Sequence, residues 1–239
     1  AREFFKSKIA ARVDDPALAE KLVPSTPIGC KRLCVDTHYY EIYNQAHVSL
    51  VDLNETPITR IEGNAIVTGT TRYEIDAIVL ATGFDAMTGA VMNIDIRGEN
   101  GLRLQDKWAA GPKAYLGLAT AGFPNLFLVT GPGSPSVLSN MLPSIEQHVE
   151  WISDCIEFMN RHQHRSINPD RDAEEAWVEH VNEVAQTSVY PGCNSWYLGA
   201  NVEGKSRVFM PYLGVPPYVE KCDEVVAAGY EGFTLSSAS

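Results

Sequence analysis

The sequence predicts an α/β fold, because two kinds of apolar pattern alternate along it. Residues 75–80 and 125–130 are short, nearly continuous apolar runs, the pattern of strands buried on both faces, as in a parallel sheet. Residues 1–22, 140–161, 172–186 and 218–228 instead repeat their apolar side chains at helical spacing. The chain has 239 residues, 45% of them hydrophobic, enough for one large domain or two small ones with a sizeable core.

Taken in order, residues 1–22 read as two helices, with Phe4, Phe5, Ile9 and Ala10, then Leu18, Leu22 and Val23, on their apolar faces. Asp15 precedes Pro16, and proline is tolerated in a first helical turn because the N–H it lacks has no partner there. Pro24 and Pro27 close the segment. Residues 48–52, 58–61 and 65–68 are strand candidates, and Gly63-Asn64 is the turn between the last two. The strand predicted over 75–80 leaves through Ala81-Thr82-Gly83, small residues that let a backbone approach something closely. Ligands in open α/β sheets sit beyond the carboxyl ends of strands, so this exit is either a cofactor edge or an ordinary strand end.

Residues 86–125 are mixed in composition and punctuated by Gly and Pro. After the strand predicted over 125–130 come Gly131-Pro132-Gly133-Ser134-Pro135-Ser136 and then a helix from about 140 to 161, its apolar positions Ile145, Val149, Ile152, Ile156 and Met159. Strand, glycine turn and helix can aim backbone N–H groups at an anion or a polarised ring, and a purely structural turn has the same pattern. Ser136 stands where the dinucleotide fingerprint has its third glycine, and nothing else supplies GxGxxG. The helix over 172–186 opens with acidic residues that suit its dipole. Residues 192–214 are a long loop or a pair of short strands. The last helix, 218–228, ends at Gly229, a good cap.

A formal net charge of -11 argues against nucleic acid, whose phosphates would be repelled. No apolar stretch is long enough to span a membrane. The start, Ala1-Arg2-Glu3-Phe4-Phe5, lacks a signal-peptide core and a Met, so the chain reads as the interior of something longer. Cys30, Cys34, Cys155, Cys193 and Cys222 form no CxxC pair and no zinc spacing, and HExxH is absent, so no metal site is predicted. Scattered cysteines and acidic balance point to free thiols and a cytoplasmic location.

Four strings carry a resemblance. Asp76 to Asp85, with Ala81-Thr82-Gly83, resembles the Ala-Thr-Gly segment of Baeyer–Villiger flavin monooxygenases. Gly131 to Met141, followed by Ser144-Ile145-Glu146-Gln147-His148, looks like the flavin- and substrate-facing segment of their phenylacetone- and steroid-oxidising branch, with Ser136-Val137 as that branch's bulge. Gly29-Cys30-Lys31-Arg32 resembles the family's Lys-Arg element, although adjacent surface cations alone would read as solvated. Ser195-Trp196-Tyr197 resembles the start of a mobile loop. There this chain reads Val202-Glu203-Gly204-Lys205-Ser206-Arg207, where family members commonly have prolines near Glu203 and Ser206.

The resemblance implies the C-terminal portion of a flavoprotein with two Rossmann-like dinucleotide-binding domains, for FAD and for NADP. Residues 1–26 would end a helical insert, 27–84 would complete the NADP domain, and 85–239 would complete the FAD domain, with the mobile loop at about 190–214. Lys31, Arg32 and Trp196 would contact NADP(H), Thr82, Gly83 and Met141 FAD, and Ser136, Val137, Leu138, Met141 and Trp196 the substrate. Arg32 would be the catalytic residue, because a permanently charged guanidinium can hold an anionic oxygenated flavin without giving it a proton. The partners implied are a ketone, O2 and the N-terminal half of the enzyme, on the same or a separate chain. The activity implied is insertion of oxygen beside the carbonyl. The alternatives are a nitrogen- or sulfur-oxidising flavin monooxygenase, or an inactive fragment.

Overall fold

The computed structural model of the chain describes residues 1–237, which divide into two units, Ala1–Gly83 and a second that starts at Phe84. The first begins with helices α1 (Arg2–Ala10) and α2 (Pro16–Lys21). The Asp15 side chain caps α2 by accepting from the Ala17 and Leu18 N–H groups, at 2.8 and 3.4 Å. Ile9, Val13 and Ala19 are buried between the helices, with Leu18, Leu22, Val23 and Tyr40 packed around them. The Asn44 side chain pins the connection, accepting from Asp14 N at 2.9 Å and donating to Arg12 O at 2.8 Å. A three-stranded antiparallel meander follows, β1 (Ile58–Glu62), β2 (Ala65–Thr68) and β3 (Thr71–Glu74). Glu62 pairs with Ala65 across Gly63-Asn64, and Gly63 has φ +58°, the left-handed value that tight hairpin turns require.

The second unit is built on three long helices. Short helices α3 (Gly89–Met92) and α4 (Leu104–Lys107) lead through an irregular stretch to α5 (Met141–Arg161), α6 (Arg171–Gln186) and α7 (Val215–Ala227). Strand β4 (His164–Pro169) pairs antiparallel with β5 (Phe233–Ser237). One core cluster includes Trp151 and Cys155 of α5, Trp177 and Val181 of α6, and Tyr218, Cys222 and Val225 of α7. A smaller one gathers Leu104, Trp108, Ala114, Phe123 and Leu128. No helix among the described residues is long and apolar enough to cross a membrane.

The chain is mixed α/β, yet the described strands pair only antiparallel. The strand predicted over 75–80 does not form. Ile75 donates one more bond to Asn64 O, and beyond it Val79 is 88% and Leu80 79% exposed. A strand buried on both faces needs neighbours on both edges, and no described strand pairs with this one. The strand predicted over 125–130 is likewise absent, reduced to one bridge from Ala119 to Phe127. Asn125 (φ +61°) and Thr130 (φ +56°) adopt left-handed backbone at its two ends, which ends any regular extended run. Residues 48–52 are also irregular.

The helices stand close to their predicted spans, but the buried stripe of α5 is Ser144, His148, Trp151, Cys155 and Met159, leaving Val149 and Ile156 nearly half exposed. Apolar periodicity alone cannot register a stripe that contains Ser, His and Trp. Helix α7 starts three residues early because Pro216 and Pro217 fall within its first turn, where proline fits. Residues 192–214 are a loop with short 3-10 turns rather than strands. Cys34, Cys155 and Cys222 are free thiols; Cys30 and Cys193 are not among them.

Candidate functional site

Residues 131–141 form a turn leading into α5, fixed from three sides. Gly133 N donates to Met210 O at 2.6 Å, and Ser134 O accepts from Tyr212 N at 2.7 Å. The Trp177 indole N–H of α6 donates to Gly133 O at 3.0 Å. On the third side Gly117, at φ +69°, lies so close that a Cβ there would come within 2.6 Å of Ser134 N and 2.9 Å of Gly131 O. The N–H groups of Gly133 and Ser134 are therefore spent within the protein, Ser134 N on Gly131 O at 3.2 Å. At these two residues that favours the structural turn, one of the two readings open from the sequence.

A buried polar chain supports the same turn. Thr130 N donates to His148 Nδ1 at 2.8 Å, so in the neutral ring the proton sits on Nε2. Nε2 then donates to the Tyr218 hydroxyl at 2.9 Å, which donates onward to Leu116 O at 2.7 Å. His148 is fully buried, and burial pushes its pKa down to about 4. Burial likewise holds the Tyr218 phenol well above its ordinary value.

A second buried group stands on α6. The Glu174 carboxylate, 2% exposed in its side chain, is met by Lys107 Nζ at 2.8 Å, the Thr120 hydroxyl at 2.9 Å and Ala121 N at 2.8 Å. Lys107 also donates to Ala121 O, and its pKa is lowered, chiefly by burial. These groups tie α4 and residues 120–121 to α6. Sequence reasoning passed over both networks, although each left a mark: a charge or a histidine on an apolar helix face, Glu174 with Trp177, Val181 and Ala185, and His148 with Trp151 and Cys155.

The predicted site residues fall into two sets. In the second unit, Ser136, Val137 and Leu138 make a 3-10 turn just before Met141, the first residue of α5. Ser136 is buried at φ +40°, and Val137 and Leu138 pack on the large core cluster. Met141 is half-buried, and Asn140 caps the helix by accepting from Leu142 N at 3.2 Å. Trp196, half-buried, packs against the same cluster, its ring centroid 4.3 Å from that of Tyr197.

In the first unit, Lys31 and Arg32 are exposed just after a turn in which Cys30 N donates to Pro27 O and Gly29 takes φ +94°. Thr82 and Gly83 are exposed, and Gly83 has φ +82° with nothing within 4 Å of where a Cβ would point. The structure thus brings together Ser136, Val137, Leu138 and Met141, and places Lys31, Arg32, Thr82 and Gly83 in the other unit.

No protein-family model matches the chain. Cyclopentanone 1,2-monooxygenase of a Comamonas species is 40% identical over 239 residues, spanning 98% of this chain and 44% of that protein. A phenazine N-monooxygenase of Lysobacter antibioticus is 42% identical over 99% of this chain and 44% of its own length. Among solved structures, an oxidised steroid monooxygenase bound to NADP superposes with a TM-score of 0.90 at 48% identity, covering 99% of this chain and 45% of that one. This chain is homologous to the C-terminal part of the Baeyer–Villiger monooxygenases. It spans about half the length of the curated relatives it matches. Crystal structures of OTEMO in complex with FAD and NADP superpose with a TM-score of 0.91 at 38% identity over 98% of this chain and 44% of that one.

Proposed function

We propose that this chain is the C-terminal part of an NADPH- and FAD-dependent Baeyer–Villiger monooxygenase, which inserts one oxygen atom of O2 beside a ketone carbonyl to give an ester or lactone. The observation that carries the proposal is the 48% identity to the NADP-bound steroid monooxygenase over 99% of the chain. FAD, when bound, supplies the oxygen activation, with the two electrons drawn from NADPH and the second oxygen atom leaving as water.

The chain's own residues bind and orient. Lys31, a compact point charge, recognises the 2′-phosphate that distinguishes NADP from NAD. Arg32 holds negative charge developing during oxygen transfer and, being always protonated, does not quench it with a proton. At Thr82 and Gly83 the open backbone admits close approach of the flavin cofactor. Ser136, Val137 and Leu138 line the substrate pocket, Met141 lies against the flavin, and Trp196 closes over NADP and excludes water. On this reading 1–26 end a helical insert, 27–84 complete the NADP domain, and 85–239 complete the FAD domain. The partner that supplies the remaining cofactor contacts is the polypeptide matching the N-terminal half of the relatives.

The test is Arg32→Ala in the complete enzyme. Flavin absorbance should survive desalting, while ester formation from ketones falls at least about a hundred-fold; undiminished oxygenation would overturn the assignment. A second reading, oxidation of a ring nitrogen, is favoured by the similarity to the phenazine N-monooxygenase. Product analysis with a ketone and an N-heterocycle in parallel separates the two.

A further inference from the structure

Residues 197–210 contain no proline, and they carry glycines in left-handed backbone at Gly199 (φ +80°) and Gly204 (φ +76°). Glycine there widens the conformations open to the chain, so something else must hold the observed one. Four contacts do. The Lys205 ammonium forms an ion pair with the Asp85 carboxylate and donates to Ala86 O at 3.2 Å. The Asn201 amide donates to Phe84 O at 3.2 Å, and the Ser206 hydroxyl donates to Ala109 O at 3.3 Å. Arg207 braces the loop from within, donating to Gly199 O at 2.8 Å and Lys205 O at 2.9 Å.

Lys205 is largely shielded. Its side chain is only 17% exposed, where Asp85 is 43% exposed. Beneath it a cavity of about 190 Å³ is lined by Asp85, Thr88, Met92, Trp108, Val202 and Lys205. With so little of its side chain exposed, the Lys205 ammonium is attracted to Asp85 with less screening than in a surface pair. Asp85 is itself held, since its Cβ and carboxylate lie against Gly89, where any side chain would collide with them.

We propose that Lys205, through Asp85, is the positioning residue of the 196–208 segment. This rests on the reading of Trp196 as a site residue. Lys205 sets where the 196–208 segment comes to rest.

Hydrogen exchange in the full chain tests it. In Lys205→Met, amides of 199–208 should exchange about ten-fold faster while α5 and α6 keep their protection, and Asp85→Asn should match. Lys205→Arg, and the exchanged pair Asp85→Lys with Lys205→Asp, should return protection to within about two-fold of the parent. Unchanged exchange in Lys205→Met, or a charge-exchanged pair as loose as the single variant while α5 and α6 stay protected, would overturn the proposal. In the complete enzyme Lys205→Met should raise KM for NADPH about ten-fold with a smaller change in kcat. Faster loop exchange with an unmoved KM would leave the latch standing and remove Trp196 from the site.

Discussion

Two regions of the chain use polar groups in opposite ways. In the second unit the critical ones are inside: Glu174 with Lys107, and Thr130, His148, Tyr218 and Leu116 in series. In the first unit the ion pairs lie at the surface, such as Lys21 with Glu55, 45% and 60% exposed in their side chains, and an apolar stretch ending in Val79 and Leu80 is exposed instead. One region has matched its polar groups to its own core; the other presents apolar surface that its own strands do not cover. The lesson is that an apolar run states what must be covered and not what covers it.

The comparison is broken most severely by removing one member of a buried pair. Glu174→Leu strands the Lys107 ammonium in a place where burial already lowers its pKa, and should destabilise the second unit by about 3–5 kcal/mol in denaturant unfolding. Replacing both, with Lys107→Met added, should recover much of that loss.

His148→Leu leaves the Thr130 N–H without its acceptor and takes from the Tyr218 hydroxyl the donor it accepts from, while Leu116 O remains its acceptor, at about 2–4 kcal/mol. The same histidine makes a pH prediction. Its folded pKa, about 4, lies below the unfolded value near 6.5, so the unfolded chain binds the proton more readily. The contribution is fully present above about pH 6.5 and is lost as pH falls towards 4, about 3 kcal/mol in all. Unfolding midpoints between pH 7 and 4 should fall less steeply in His148→Leu.

Gly117→Ala forces a Cβ against the backbone of the 131–134 turn and should cost about 1–3 kcal/mol, visible as a lower melting temperature. Asn44→Ala, which frees the α1–α2 connection, should cost about 1 kcal/mol in the first unit only. Lys21→Met should leave the unfolding midpoint unchanged; a clear drop would show that surface pairs in the first unit matter more than their exposure implies.

Much of this was legible in the sequence. Asp15-Pro16 marked the start of α2, Gly63-Asn64 the hairpin, and Gly229 the end of α7, because each obeys a local rule of backbone geometry. What failed was non-local. The runs 75–80 and 125–130 have strand composition, but strands need partners, and Asn125 and Thr130 take left-handed angles that no apolar count reveals. The stretch 131–141 stood out as a string, yet its support comes from residues distant in sequence: Gly117 lies against Ser134, Trp177 bonds Gly133 across 44 positions, and His148, itself bonded to Tyr218 across 70, holds Thr130 across 18. Spacing within a motif cannot announce contacts of that range.

Three of the four tryptophans differ in how their indole N–H is bonded. That of Trp177 is bound to Gly133 O, that of Trp108 to Lys113 O at 2.9 Å, and that of Trp151 is buried without an acceptor. Nitrogen-15 labelling of tryptophan alone would therefore give separate resonances. The Trp177 signal becomes a native gauge of the 131–136 turn, readable without attaching any dye.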